Sequence, residues 1–198
     1  MTRWAPAKAD ILDELVAEIR HNYARGRVVV AVDGVDGSGT AEFADDLAAA
    51  VERAGSAALR ASLDGFLRPD ASARESAADY YASAYDADAV RSLLIRPFRS
   101  GTPIALAMAS EPTSAPAEDA VLVVDGPFLL RPELLGLWNS TICLFAPADE
   151  AFERAGTPEV RRKAQRLYLH RVQPRTKAIA NVDNSDPEHP RRTFSDSC

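Results

Sequence analysis

Five apolar residues, Ile11, Leu12, Leu15, Val16 and Ile19, recur every three or four positions near the start of the chain. That spacing places them on one face and predicts an amphipathic helix over 8–24. Gly26 ends the pattern, and Val28-Val29-Val30-Ala31-Val32 follows as an unbroken apolar run rich in β-branched residues. Such a run predicts a strand covered on both faces. It passes directly into the turn-rich Asp33-Gly34-Val35-Asp36-Gly37-Ser38-Gly39, after which Phe43, Leu47, Ala50 and Val51 mark one face of a helix over 40–54. A second strand is predicted over 57–63, ending at Asp64-Gly65-Phe66.

The pattern then weakens. Helical spacing is visible over 75–85 and 87–94, with Pro97 expected to stop the second helix. Residues 100–119 are proline-bearing and read as an irregular excursion. Val121-Leu122-Val123-Val124 predicts a third buried strand ending at Asp125-Gly126, and 141–145 a fourth. Helices are predicted over 150–155 and 159–172, a short fifth strand over 178–182, and a polar tail or peripheral wrap beyond 186. Strands alternating with helices mean an α/β fold with a parallel sheet. The 198 residues suit a single domain over 1–198.

In such sheets ligands bind at the carboxyl ends of the strands. Three of those ends carry the same pair, Asp33-Gly34, Asp64-Gly65 and Asp125-Gly126. A carboxylate there can serve a metal ion, a hydroxyl proton or only a turn. Strand, then Gly34-Val35-Asp36-Gly37-Ser38-Gly39, then helix is the layout of a phosphate-binding loop, in which backbone N–H groups and a helix N-terminus converge on an anion. Gly34 and Gly39 fit G-x-x-x-x-G-K-[ST], but Thr40 stands in the lysine position and Ala41 in that of the magnesium-binding hydroxyl. The cradle of Gly34, Asp36, Gly37, Ser38, Gly39, Thr40 and Ala41 therefore lacks its cation. It could hold ATP, phosphate or another anion. A dinucleotide loop fits less well, because Glu42 occupies its third glycine position.

Composition narrows the partners. Lys+Arg number 23 against 29 Asp+Glu, a formal charge of −6, which argues against a dedicated nucleic-acid binder. No apolar run suffices for a membrane span, no secretory leader is recognisable, and two cysteines make neither a disulfide framework nor a cysteine metal site. A cytoplasmic protein is expected. Positive charge is concentrated in 154–177, where eight Lys or Arg meet one acid, Glu159. Such a segment either faces an anion or is a solvated helix face.

Together these pieces resemble the uridine kinase family of P-loop kinases, in its compact bacterial uridine-kinase-like branch. The matching stretches are Val30 to Gly39, Asp64-Gly65-Phe66 with Arg68-Pro69, Tyr85-Asp86, Val123 to Leu134, Gln165-Arg166-Leu167-Tyr168 and Val182 to Pro187. The resemblance implies a P-loop NTPase-type three-layer sandwich with a mostly parallel five-stranded sheet and a helical lid over 154–177, leaving a polar tail over 187–198. It implies ATP at the first loop, Asp64 taking the proton of the acceptor hydroxyl, Asp125 beside Mg2+, and Arg161, Arg162 and Arg166 closing over the phosphates. The acceptor would be a nucleoside or other small molecule, and homo-oligomer formation is left open. Departures from the family pattern are Thr40, Ala41, Leu67 in place of a histidine, Ser83-Ala84 before Tyr85-Asp86, and the apolar stretch 103–109. They point to impaired phosphoryl transfer or to a pseudokinase acting as a binding or regulatory protein.

Overall fold

The unbroken apolar run of β1 (Val28–Asp33) is divided between two cores. Val28, Val30 and Val32 face one side of the sheet, while Val29 and Ala31 face the other. All are buried, as a central parallel strand requires. The structure, a computed structural model, describes residues 7–104 and 114–194.

On the first side lie α1 (Lys8–Asn22) and α2 (Thr40–Arg53). The five apolar residues of α1 are buried as their spacing predicts, each contributing about 1.5–3 kcal/mol before ordering costs. On the second side pack α3 (Ala77–Ser83), α4 (Ala87–Ala89), a π-helical stretch (Val90–Ile95) running into α5 (Arg96–Ser100), and the long helix Glu159–Val172. This is a three-layer α/β sandwich.

The sheet has six strands in the order β2-β3-β1-β4-β5-β6, one more than expected. β2 (Ala58–Ser62), β3 (Val121–Gly126), β4 (Ser140–Phe145) and β5 (Ala180–Asp183) run parallel with β1. The sixth, β6 (Arg191–Thr193), pairs antiparallel with β5 and comes from the stretch read as a polar tail. Its register puts Arg191 opposite Asp183, and Arg192 reaches Glu14 and Glu18 of α1 at 2.7 and 2.5 Å. Ion pairing thus holds in place a segment whose composition gives little apolar signal.

Pro97 does not stop the second mid-chain helix. The backbone opens into the π-helical stretch just before it and continues to Ser100, with Gly101 (φ +76°) closing the last turn. After β3 come α6 (Pro132–Leu135), then α7 (Ala148–Ala155), α8 (Glu159–Val172) and α9 (Pro174–Lys177). Among the described residues no helix is long and apolar enough to cross a membrane.

Candidate functional site

β1 lies between β3 and β4, so the chain reverses its direction of winding at the carboxyl end of β1, where open α/β sheets form their ligand crevice. The loop from Gly34 to Gly39 occupies that point and leads into α2 at Thr40. Its glycines are required by space. Gly37 has φ +77°, and a Cβ there would stand 1.9 Å from the Ala151 carbonyl oxygen. Gly39 has φ +85°, and a Cβ there would meet Asn184 Nδ2 at 2.7 Å.

The loop is braced from three sides. Gln165 Oε1 accepts from the Asp36 amide at 2.8 Å, Asn184 Nδ2 donates to the Ser38 carbonyl at 2.8 Å, and Arg154 Nη1 donates to the Gly37 carbonyl at 3.1 Å. Ser38 is fully buried, and its own amide bonds to Val35 O. Among the described residues the amides of Gly37, Gly39, Thr40 and Ala41 have no protein acceptor. They border a cavity of about 1080 Å³ shared with Asp64, Asp125 and Arg161. Unpaired amides at a glycine loop and a helix start are an anion cradle.

Each of the three strand-end carboxylates already has an internal partner. Asp33 is wholly buried and faces away from the cavity. Its Oδ1 accepts from the Leu129 amide and its Oδ2 from the Tyr168 hydroxyl, both at 2.9 Å. Burial pushes its pKa up to about 7, partly opposed by these hydrogen bonds. The turn that delivers the Leu129 amide passes through Phe128 at φ +68°, a conformation held by packing among Tyr81, Tyr85 and Tyr168. Asp64 follows β2 in a 3₁₀ turn, its side chain 55% exposed. Its Oδ1 accepts from Tyr85 OH at 2.8 Å and from Arg161 Nη2 at 3.2 Å. Asp125 is buried, with Oδ1 3.0 Å from Arg60 Nη2 and Oδ2 3.4 Å from Ser62 Oγ. Burial raises its pKa, and the Arg60 charge draws it back only in part.

The basic segment divides by direction. Arg161 faces the cavity and pairs with Asp36, Nε to Oδ2 at 2.6 Å and Nη2 to Oδ1 at 2.8 Å. Burial opposes its charged state, but Tyr85, Asp36 and Asp64 outweigh that and hold its pKa above the usual arginine value. Arg162 and Arg166 turn instead toward α7. Both guanidinium groups lie over the Phe152 ring, at 5.8 and 5.9 Å; Arg162 donates to Thr157 O, and Arg166 pairs with Asp149. Neither lines the cavity. The helical period would have separated them, because Arg161, Gln165 and Tyr168 fall at i, i+4 and i+7 and together face the loop and β1. Arg154, which opens the basic segment, also lines the cavity; Lys8, which lines it too, and Arg60 beneath it are not among the residues expected at the site from the sequence. The apolar stretch expected to replace a substrate segment lies, over 105–109, outside the described residues.

The cradle suits the phosphates of ATP, since four free amides converge there, two of them at glycines where a side chain would collide with the fold. The donor set at the end of β3 does not suit Mg2+, since Ala41 offers no hydroxyl and both Asp125 oxygens have protein partners.

Neither a protein-family model nor a curated protein matches the sequence. Solved structures do resemble it. A possible uridine kinase from Bacillus stearothermophilus is 21% identical with a TM-score of 0.66, the match covering 87% of this chain and 97% of that one. A candidate fructose transport system kinase from Silicibacter sp. TM1040 is 22% identical with a TM-score of 0.53, over 72% of this chain and 78% of that one. The likeness shows the fold, that of a uridine kinase-like P-loop kinase.

Proposed function

We propose that this chain is a kinase-type nucleotide-binding protein that holds ATP at the 34–41 loop and transfers phosphate to a nucleoside or other small hydroxyl compound slowly or not at all. The observation that carries the reading is the set of unpaired amides at Gly37, Gly39, Thr40 and Ala41, opening on one cavity with Asp64. ATP supplies the phosphoryl group. Asp64 takes the acceptor proton at Oδ2, because Oδ1 is engaged by Tyr85 and Arg161. Arg161 leaves Asp36 to meet phosphate oxygens, a role that guanidinium geometry suits.

Two features slow transfer. Thr40 brings no ammonium to the phosphates, and loss of one such preorganised group costs about 10²–10³ in rate. Asp125 is already paired with Arg60. That second feature favours the pseudokinase form of the reading, in which the bound nucleotide serves recognition or regulation. The partners are then a nucleotide and a small molecule, in keeping with a net charge of −6.

The test is calorimetry with ATP, followed by transfer assays on a panel of nucleosides and sugars. The wild type should bind ATP and turn over at least tenfold more slowly than a Thr40→Lys, Ala41→Thr variant. Equal turnover would remove the impairment, and absence of ATP binding would remove the nucleotide reading. Asp64→Asn should abolish any turnover while leaving ATP affinity within about twofold.

A further inference from the structure

Arg60 lies on β2, facing α2, and each of its five N–H donors has an acceptor. Nε donates to Asp45 Oδ1 at 2.8 Å. Nη1 donates to Val123 O at 2.9 Å and Ala61 O at 3.2 Å. Nη2 donates to Asp125 Oδ1 at 3.0 Å and Ala41 O at 3.3 Å. No donor remains for a phosphate. The guanidinium instead ties the first turn of α2 to the tip of β3, and both residues it joins there, Ala41 and Asp125, border the cavity.

A hydroxyl at position 41 would share a divalent ion with the β3 carboxylate, and alanine leaves only the backbone carbonyl, which accepts from Arg60. The register of β2 against β3, with Arg60 beside Val123 and Ser62 beside Asp125, aims the guanidinium at the near oxygen of the carboxylate and the Ser62 hydroxyl at the far one. A hard dication prefers several oxygen ligands in a nearly octahedral arrangement. At the tip of β3 it would find a carboxylate with both oxygens already engaged and a fixed positive charge next to it.

We propose that Arg60 takes the place of the divalent cation in this site, so that the loop binds a metal-free polyphosphate anion and Asp125 is a positioning residue that anchors Arg60. The identity of the anion rests on the nucleotide reading above. The closure of Asp125 to metal does not. With no metal in the site, the anion is met by the loop amides, the start of α2, and the guanidinium groups of Arg154 and Arg161. The ligand class follows: free ATP, ADP or pyrophosphate in preference to their magnesium complexes.

Two titrations decide it. In calorimetry, ATP and pyrophosphate should bind in EDTA as tightly as in 5 mM Mg2+, or more tightly because magnesium withdraws the free anion. A fivefold or greater tightening by Mg2+ would overturn the proposal. Separately, Mn2+ added to the protein without nucleotide and followed by electron paramagnetic resonance should show no bound ion that Asp125→Asn removes. Such an ion would overturn closure whether or not ATP binds, whereas absence of ATP binding in both buffers counts against the nucleotide reading alone. An Arg60→Gln, Ala41→Ser variant with a wild-type circular dichroism spectrum should gain a manganese site at least tenfold tighter than any in the wild type. A folded variant that gains none would remove Arg60 as the closing group.

Discussion

Arg161 and Asp36 form a two-point ion pair beside the cavity, joining α8 to the glycine loop. The helix is thus docked by a carboxylate of the protein itself, with Asp64 as a second, longer contact. On the function proposed above, an incoming phosphate exchanges places with Asp36. Both side chains of the pair are mostly buried, 18% and 13% exposed, so that leaving either one alone is costly.

Arg161→Gln should therefore lower stability by about 1–3 kcal/mol. Adding Asp36→Asn should cost less than the sum of the two single changes, since the second removes the carboxylate that the first left unpaired. Urea midpoints for the two single variants and the double variant check this, and full additivity would mean that the pair is not coupled.

Asp33 predicts a pH dependence of defined sign. Its folded pKa of about 7 lies above the ordinary value of 3.8, so the folded chain holds this proton more tightly than the unfolded one. The resulting stabilisation is complete below about pH 4 and is lost as pH rises toward 7. In an Asp33→Asn variant the side-chain amide imitates the neutral acid at every pH. The melting temperature of the wild type should fall relative to that variant between pH 4 and 7 and run parallel to it above. A constant difference across that range would place the Asp33 pKa at its ordinary value.

Tyr168 connects α8 to the sheet through one oxygen, which donates to Asp33 and accepts from the Leu130 amide at 3.2 Å. Tyr168→Phe leaves a buried carboxylate oxygen and a buried amide without partners, at a cost of about 1–3 kcal/mol. The same change should raise the Asp33 pKa further, visible as a fall that continues to higher pH in the same comparison.

Gly37 and Gly65 should respond oppositely to alanine. At Gly37 a methyl group collides with the Ala151 carbonyl at positive φ, and Gly37→Ala should cost roughly 2–5 kcal/mol and ATP binding with it. At Gly65 nothing lies within 4 Å of the new Cβ, and Gly65→Ala should stay within about 0.5 kcal/mol. Thermal denaturation of both variants separates a loop closed by packing from one that tolerates side chains.

The sheet and its helices were legible because their signals are local. Val28 to Val32 announce a central strand, and Ile11 to Ile19 announce a helix face, without knowledge of their neighbours. The cradle was legible for the same reason, since its glycine spacing and the following helix are contiguous. What escaped depends on registers between distant segments. Nothing near Arg60 says that Asp125 will lie one strand away, because that contact is set by the pairing of β2 with β3. The role of Arg192 depends in the same way on β6 lying beside α1. Arg162 and Arg166 were misdirected for a different reason. Charge density alone ignores the helical period that sends Arg161 inward and its neighbours toward Phe152.

The antiparallel seat of β6 has a consequence for self-association. A sheet whose flank ended in β5 would offer an open ladder to a strand from another molecule. Here that flank is finished by three residues, two of them arginines, one held back by a pair of glutamates. A foreign strand finds only a short template edged with charged side chains, which disfavours growth of the sheet into fibres from that side.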